Sequence, residues 1–194
     1  MEAPRCPTPL RQVRRRDRAV TDEAWIEDLL ESAAVGVLAA AASGQPEVNA
    51  NLFVYDRPSR CIFLHTARVG LTRAIVEAHP RVAFTVFRLG RLLPAATALE
   101  FSAEFDSVVA VGTCSVVEDR EEAKNALEAL LAKYAPHLLM GEDYREPVPA
   151  ELKRTTVLRV RIDAWSGKRK VAAPDFPGAY HYEGAAGPTA RDGA

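Results

Sequence analysis

Thr156-Val157-Leu158-Arg159-Val160-Arg161-Ile162-Asp163-Ala164-Trp165 is the stretch that decides the fold. Thr156, Leu158, Val160, Ile162 and Ala164 alternate with Arg159, Arg161, Asp163 and Trp165. A period of two with apolar residues on one side is a β-strand with one buried and one wet face. Upstream, Phe101 to Glu118 is a long run of strand character, which needs a bend or bulge to stay within a small domain. Earlier still, Ala34 to Ala41 runs into the turn Ser43-Gly44-Gln45-Pro46. Val48, Ala50, Leu52 and Val54 then alternate with Asn49, Asn51 and Phe53, which makes a hairpin. Asp56 to Arg60 is a second turn, Cys61 to Thr66 and Arg81 to Phe87 are further strands, and Gly90 to Leu99 is a loop around Pro94. Strands joined mostly by hairpins favour an antiparallel barrel over a doubly wound sheet.

Three helices flank these strands. Thr21 caps the first, whose inner face is Trp25, Ile26, Leu29, Leu30 and Ala33. The second covers Arg68 to Ala78. Asp119 and Glu122 open the third like a capping box, Ala123, Ala126, Leu127, Leu130, Leu131 and Tyr134 share one face, and Pro136 ends it. With 194 residues, 48% of them hydrophobic, the chain builds one core. It divides into an N-terminal arm (1–20), one domain (21–170) and a flexible or partner-wrapping tail (171–194).

Charge and cysteine content exclude several function classes. Basic and acidic side chains number 25 and 26, so no global field recruits nucleic acid or an anionic membrane. Arg11, Arg14, Arg15, Arg16 and Arg18 cluster locally, as a solvated arm or as a contact for a partner subunit or an anionic ligand. Cys6, Cys61 and Cys114 show no CxxC spacing, and His65, His79, His137 and His181 are scattered, so neither disulfides nor a metal site is expected. With no spanning apolar run and no signal segment, the expected location is the cytoplasm.

No dinucleotide, P-loop, nucleophile-elbow or zinc signature occurs. The informative stretch is Phe63-Leu64-His65-Thr66-Ala67-Arg68-Val69-Gly70-Leu71-Thr72-Arg73, where a strand gives way to a helix amid hydroxyls, a glycine and two arginines. A helix N-terminus with guanidiniums beside it suits a phosphate; a helix capped by Thr66 with solvated arginines is the plain alternative. Asn49 and Asn51 share a strand face with Phe53 and Tyr55, a surface suited either to a planar heteroaromatic ring or to solvent. Trp165-Ser166-Gly167-Lys168-Arg169 ends the last strand with an aromatic plate and two cations. It either borders a ligand or anchors the strand end to the core.

Asn49 to Val54, Phe63 to Arg73, Gly90-Arg91-Leu92-Leu93-Pro94, Phe101 to Gly112 and Trp165-Ser166-Gly167-Lys168 lie in an order and spacing that resembles the nitroimidazole reductases. These are resistance proteins within the pyridoxamine 5'-phosphate oxidase-like superfamily, and the similarity runs over roughly residues 12 to 170. The resemblance implies a mainly β fold with flanking helices: a six-stranded antiparallel split β-barrel that forms a homodimer and holds FMN at the subunit interface. On it, His65, Thr66, Ala67 and Arg68 match the strand end beside the flavin, and Gly70 matches the glycine that opens the phosphate helix. Many relatives carry Arg and Lys where this chain has Leu71 and Thr72, so the phosphate grip would rest on Arg68, Arg73, the Thr72 hydroxyl and backbone N–H groups. Ser107 matches a serine near the ring system and Lys168 the lysine after the terminal glycine. The arginine-rich end that holds substrate phosphate in true pyridoxamine 5'-phosphate oxidases has no counterpart, because the chain continues as Val171-Ala172-Ala173-Pro174.

The implied activity is that of an FMN-dependent oxidoreductase taking electrons from NAD(P)H and passing them to a nitroaromatic or other small acceptor. Asn49, Asn51, Ser107 and Trp165 would lie around the ring, and His65 would be the catalytic proton source, since imidazole exchanges protons near neutral pH. A non-catalytic protein that binds a flavin or haem is the alternative.

Overall fold

A computed structural model describes residues 13–152 and 154–183. A single 3-10 turn (Arg16–Arg18) leads into β1 (Ala19–Val20), α1 (Glu23–Ser32), β2 (Gly36–Ala42), β3 (Gln45–Asn51), β4 (Phe53–Asp56) and β5 (Cys61–Ala67). There follow α2 (Leu71–Ala78), β6 (Arg81–Leu93), β7 (Ser102–Val116), α3 (Arg120–Tyr134), the short α4 (Pro149–Leu152), β8 (Thr155–Lys170) and β9 (Tyr180–His181). Asp22, not Thr21, caps α1: its carboxylate accepts from the Ala24 and Trp25 amides. Asp119 caps α3 by accepting from Glu122 N at 2.8 Å. The Glu122 carboxylate pairs with Arg159 at 2.8 Å, so the reciprocal half of the capping box is not made.

The strands pair antiparallel in the order β3-β2-β6-β7-β8-β5-β4. The two ends of this path, β3 and β4, are separated in the chain by Leu52 alone. One kinked strand thus pairs with β2 through its first half and with β5 through its second. Counted so, the sheet has the six strands expected; it is not closed by a ladder, and its two ends are joined only through the chain at Leu52. The kink is braced by α3: Tyr134 Oη accepts from Phe53 N at 3.1 Å and reaches Phe53 O at 3.0 Å. Lys133 Nζ donates to the same carbonyl, also at 3.0 Å.

Inward residues of six strands, α1 and α2 make one core, with Phe53, Phe84, Leu30, Leu38, Ile62, Leu64, Leu158 and Val160 fully buried. Phe53 and Phe84 meet edge to face with centroids 4.9 Å apart. Truncating Phe84 to Ala would cost about 3–5 kcal/mol. Gly36 lies against that ring, where a Cβ would sit 2.1 Å from Phe84 Cζ. A second, smaller cluster (Cys61, Phe63, Val117, Ala126, Val157) lies where α3 covers the outer face of β5 and β8.

β7 is long as expected, but the bulges lie in its neighbours. Leu89 and Leu92 of β6 oppose Phe105 and Ala103, which leaves one extra residue in β6. Val111 and Gly112 oppose Ala164 and Ile162, which leaves Asp163 as the extra residue in β8. Gly112 faces that bulge so closely that a Cβ would lie 2.0 Å from Arg161 O. β6 continues past the first bulge to Leu93, so the first four residues of the expected loop, Gly90 to Leu93, are strand.

Two short strands near the limits of the described residues, β1 and β9, pair with the long strands. Ala19 and Val20 pair with Lys168 and Gly167, and Tyr180 and His181 pair with Leu92 and Arg91. Arg91 and Glu104 form an ion pair at 2.8 Å. Arg91 also donates to the Ala173 and Pro174 carbonyls, and Glu104 accepts from Ala172 N at 2.8 Å. Cys6, Arg11 and the rest of 1–12, and the tail from 184, lie outside the described residues. No helix among the described residues is long and apolar enough to cross a membrane.

Candidate functional site

The residues singled out in the sequence fall into two groups at opposite ends of β8. The first surrounds the start of that strand. Antiparallel pairing sets His65, Thr66 and Ala67 of β5 opposite Val157, Thr156 and Thr155. Gly70 then starts α2 with no side-chain cap, which leaves first-turn amides of the helix open to an acceptor. From α2, Arg73 Nη1 donates to Thr156 Oγ1 at 3.1 Å and to Arg68 O at 3.4 Å. Its Nε pairs with Glu77 at 2.9 Å, so the guanidinium is oriented from three sides. Thr72 Oγ1 accepts from Asn49 Nδ2 at 3.1 Å, and Asn51 Nδ2 donates to Asn49 O at 2.7 Å. A cavity of about 220 Å³ opens here, lined by Arg68, Arg73, Arg120, Thr155 and Thr156 together with the Asp119 end of α3.

Register divides this group between two faces. Asn49 and Asn51 oppose Leu38 and Gly36, so they sit on the barrel's inner side beneath α2. Phe53 and Tyr55 lie on that same side but inside the core, 0% and 5% exposed. They cannot form the mixed amide and aromatic surface expected of this strand. The Tyr55 hydroxyl, which donates to Glu27 at 3.0 Å, is pushed well above the usual phenol range by burial first and that carboxylate second. His65 is exposed on the outer face, away from the two asparagines and at the edge of the cluster beneath α3.

The second group surrounds the end of β8. Ser107 stands between Phe87 of β6 and Lys168 of β8 in one cross-strand row. Lys168 is exposed, and Phe87 is 60% exposed and stacked on Phe105 with centroids 6.1 Å apart. Trp165 takes the anchoring role: it opposes buried Ala110, meets Tyr55 edge to face and carries the Arg60 guanidinium 4.1 Å above its ring. The bulge at Asp163 turns it inward and turns Ala164 outward, the reverse of the alternation read from the sequence.

Lys168 lies twelve steps along β8 from Thr156, a contour of roughly 40 Å at ~3.3 Å per residue that the bulge at Asp163 shortens. The two groups therefore lie near opposite ends of one long strand. The sequence reading missed Thr155, Thr156 and Arg120 at the first end and Phe87, Phe105 and Lys170 at the second. The signal for Thr156 was its place on the apolar face of β8, where a 3% exposed hydroxyl needs a partner. Among the described residues there is no group of three His, Cys, Asp or Glu placed to hold a metal.

A family model described as pyridoxamine 5'-phosphate oxidase matches residues 22–169. Among solved structures, the chain is similar to the flavocytochrome Anf3 from Azotobacter vinelandii, at 21% identity, TM-score 0.74, and 89% of this chain over 76% of that one. It is similar also to an FAD and haem binding protein from Mycobacterium smegmatis, at 22% identity, TM-score 0.71, and 81% over 76%. A candidate 5-nitroimidazole antibiotic resistance protein from Bacteroides thetaiotaomicron follows, at 21% identity, TM-score 0.65, and 78% over 86%. At these identities the likeness is one of fold, the split barrel. No curated protein matches the chain.

Proposed function

This chain belongs to the pyridoxamine 5'-phosphate oxidase family, and from that membership we propose that it is a homodimeric flavin-dependent oxidoreductase whose two flavin sites are each built from both subunits. The observation that carries this reading is the partition of the site along β8. The Arg68–Arg73–Thr156 cavity suits a phosphate in charge and hydroxyl content, while Ser107 and Lys168, the expected ring contacts, are too far along the same strand to serve the same ligand. A second copy supplies the missing half. The outer face of β6 and β7 around Ser107 supports such pairing, with Phe87, Leu89 and Val109 at 60%, 42% and 41% exposure.

FMN is the flavin this reading names, and when bound it supplies hydride and electron transfer between NAD(P)H and a nitroaromatic or other small acceptor. The chain's own residues do the rest. Arg73, held by Thr156 and Glu77, presents a pre-oriented guanidinium to the phosphate, and Arg68 and the α2 amides add donors. Asn49 fixes the Thr72 hydroxyl in place of the missing lysine. His65, exposed three residues before Arg68, moves a proton at its imidazole to the acceptor.

A second reading, flavin or haem held without turnover, draws on the two structural neighbours described as a flavocytochrome and as an FAD and haem binding protein. The visible spectrum of the purified protein tests both. A flavin spectrum bleached by NADH or NADPH and restored by a nitroaromatic supports the enzyme. A Soret band, or a flavin that neither pyridine nucleotide bleaches, favours the binder, and a colourless protein removes the cofactor altogether.

A further inference from the structure

β6 outruns the strand beside it. β2 covers β6 from Ala83 to Val86 and reaches no further, whereas β6 continues to Leu93. Beyond Val86 the residues are Phe87-Arg88-Leu89-Gly90-Arg91-Leu92-Leu93, and β7 pairs with them along one side only. On the other side, no strand among the described residues pairs with Phe87 to Gly90. An apolar strand edge left open is a template for a strand of another chain. Arg88, which would charge this edge, is drawn aside to the Ser32 hydroxyl at 2.9 Å.

The chain seats its own tail on that edge. From Lys170, opposite Phe105, the backbone passes β7 and β6 and adds β9 to the far side of β6, with Tyr180 opposite Leu92 and His181 opposite Arg91. A ladder of two residues is marginal by itself, so side chains must hold the segment. The Arg91–Glu104 pair does so, with side chains only 20% and 14% exposed. Glu104 Oε1 accepts from Ala172 N, while Arg91 donates to the Ala173 and Pro174 carbonyls. Two turns then bring the chain round, Phe176 N donating to Ala173 O at 3.1 Å and Ala179 N to Phe176 O at 3.2 Å. Gly178 sits beside Pro94 with φ at +70°, where a side chain would be strained.

We propose that residues 171–181 are a latched strap that shuts the open edge of β6 against a second copy of the chain, a self-blocking contact whose latch is the Arg91–Glu104 pair. The strap already supplies the strand that the edge would take from elsewhere. One pair of side chains holds both the start of the strap, at Ala172 to Pro174, and the strand it closes, at Arg91. Release of that pair therefore frees strap and edge together. Glu104 is held at about 2 by the Arg91 guanidinium first and the Ala172 amide second, so the latch stays charged through neutral and mildly acidic solution. The proposal stands apart from the flavin reading, since it uses neither the Arg73 cavity nor the row through Ser107 and Lys168.

Glu104→Gln removes the charge that holds Arg91 and Ala172 N. Hydrogen exchange read by mass spectrometry follows the strap, and light scattering follows the size of the full-length protein. Exchange over 172–181 is expected to quicken by at least about tenfold in the variant, and species larger than the wild-type assembly to form as protein concentration rises. A second variant separates edge pairing from poor folding. Leu92→Cys with Tyr180→Cys puts a disulfide across the β6–β9 ladder; added to Glu104→Gln, it should keep the wild-type size when oxidised and release larger species when reduced. Unchanged exchange in Glu104→Gln overturns the latch. A strap that opens while the size stays that of the wild type overturns the guarding role, because the edge then recruits nothing. Larger species that persist in the oxidised variant also overturn it, because they assemble elsewhere than at β6.

Discussion

The Arg73 guanidinium donates to the Thr156 hydroxyl at 3.1 Å, which ties α2 to the start of β8 and fixes a charge at the mouth of the Arg68 cavity. If that charge meets a phosphate, replacing Arg68 and Arg73 together by Ala should weaken FMN far more than riboflavin, since only FMN carries the dianion. Each lost charge-assisted bond should cost about 1.5–3 kcal/mol. Fluorescence titration of the apoprotein with both ligands measures the difference, and equal losses would sink the phosphate assignment. Thr156→Val should show the same preference at smaller size, because it loosens the guanidinium without removing it.

Lys133 offers a test of how α3 braces the kink between β3 and β4. Its ammonium lies 3.9 Å from the centre of the Phe53 ring and donates to Phe53 O, and burial lowers its pKa to about 8. The unfolded chain holds the proton to about 10.4, so between these values it binds more protons than the folded chain and stability rises with pH. Below pH 8 the penalty is present in full. Urea denaturation at pH 7.5 and 10 should show a gain in the wild type that Lys133→Met lacks, as the difference cancels other titrating groups. Identical pH slopes in the two proteins would mean that Lys133 is solvated.

Much of this architecture was legible because burial in a barrel writes itself as alternation, and Thr156 to Ile162 keep strict register from sequence to structure. What was not legible came from single-residue events. Asp163 bulges out of β8 and exchanges the faces of Ala164 and Trp165, a change that no local propensity marks. The β3–β4 strand alternates without interruption from Asn49 to Tyr55, so pattern alone could not say that Asn49 faces α2 while Phe53 faces the core. The Arg73–Thr156 and Asn49–Thr72 bonds span 83 and 23 residues, and such pairs follow only from topology.

His65 is exposed near the end of β5, on the face opposite the asparagines, so in the proposed dimer its role turns on what a second copy brings to it. His65→Phe keeps volume and removes both ring nitrogens. The variant should fold, bind FMN and accept electrons from NAD(P)H at the wild-type rate, while the nitroaromatic half-reaction slows by about 10²- to 10⁴-fold. Stopped-flow measurement of the two halves decides: an unchanged acceptor step leaves His65 as a surface residue, and loss of FMN makes it a binding residue.

A site shared between subunits predicts complementation, which no single-subunit site allows. One variant carries Arg68→Ala with Arg73→Ala, the other Ser107→Ala with Lys168→Ala, and each alone should bind FMN weakly. In a two-fold dimer every site takes its phosphate half from one copy and its ring half from the other. When the two variants are mixed and allowed to exchange subunits, one site of each heterodimer draws both halves from intact chains and the other draws both from damaged ones. Random exchange at equal concentrations makes about half the dimers mixed, so about a quarter of all sites should recover wild-type affinity. FMN content after desalting, with light scattering to confirm the dimer, measures it. Were all the ligands of a site in one protomer, no mixture would recover anything, because each copy would still carry its own defect.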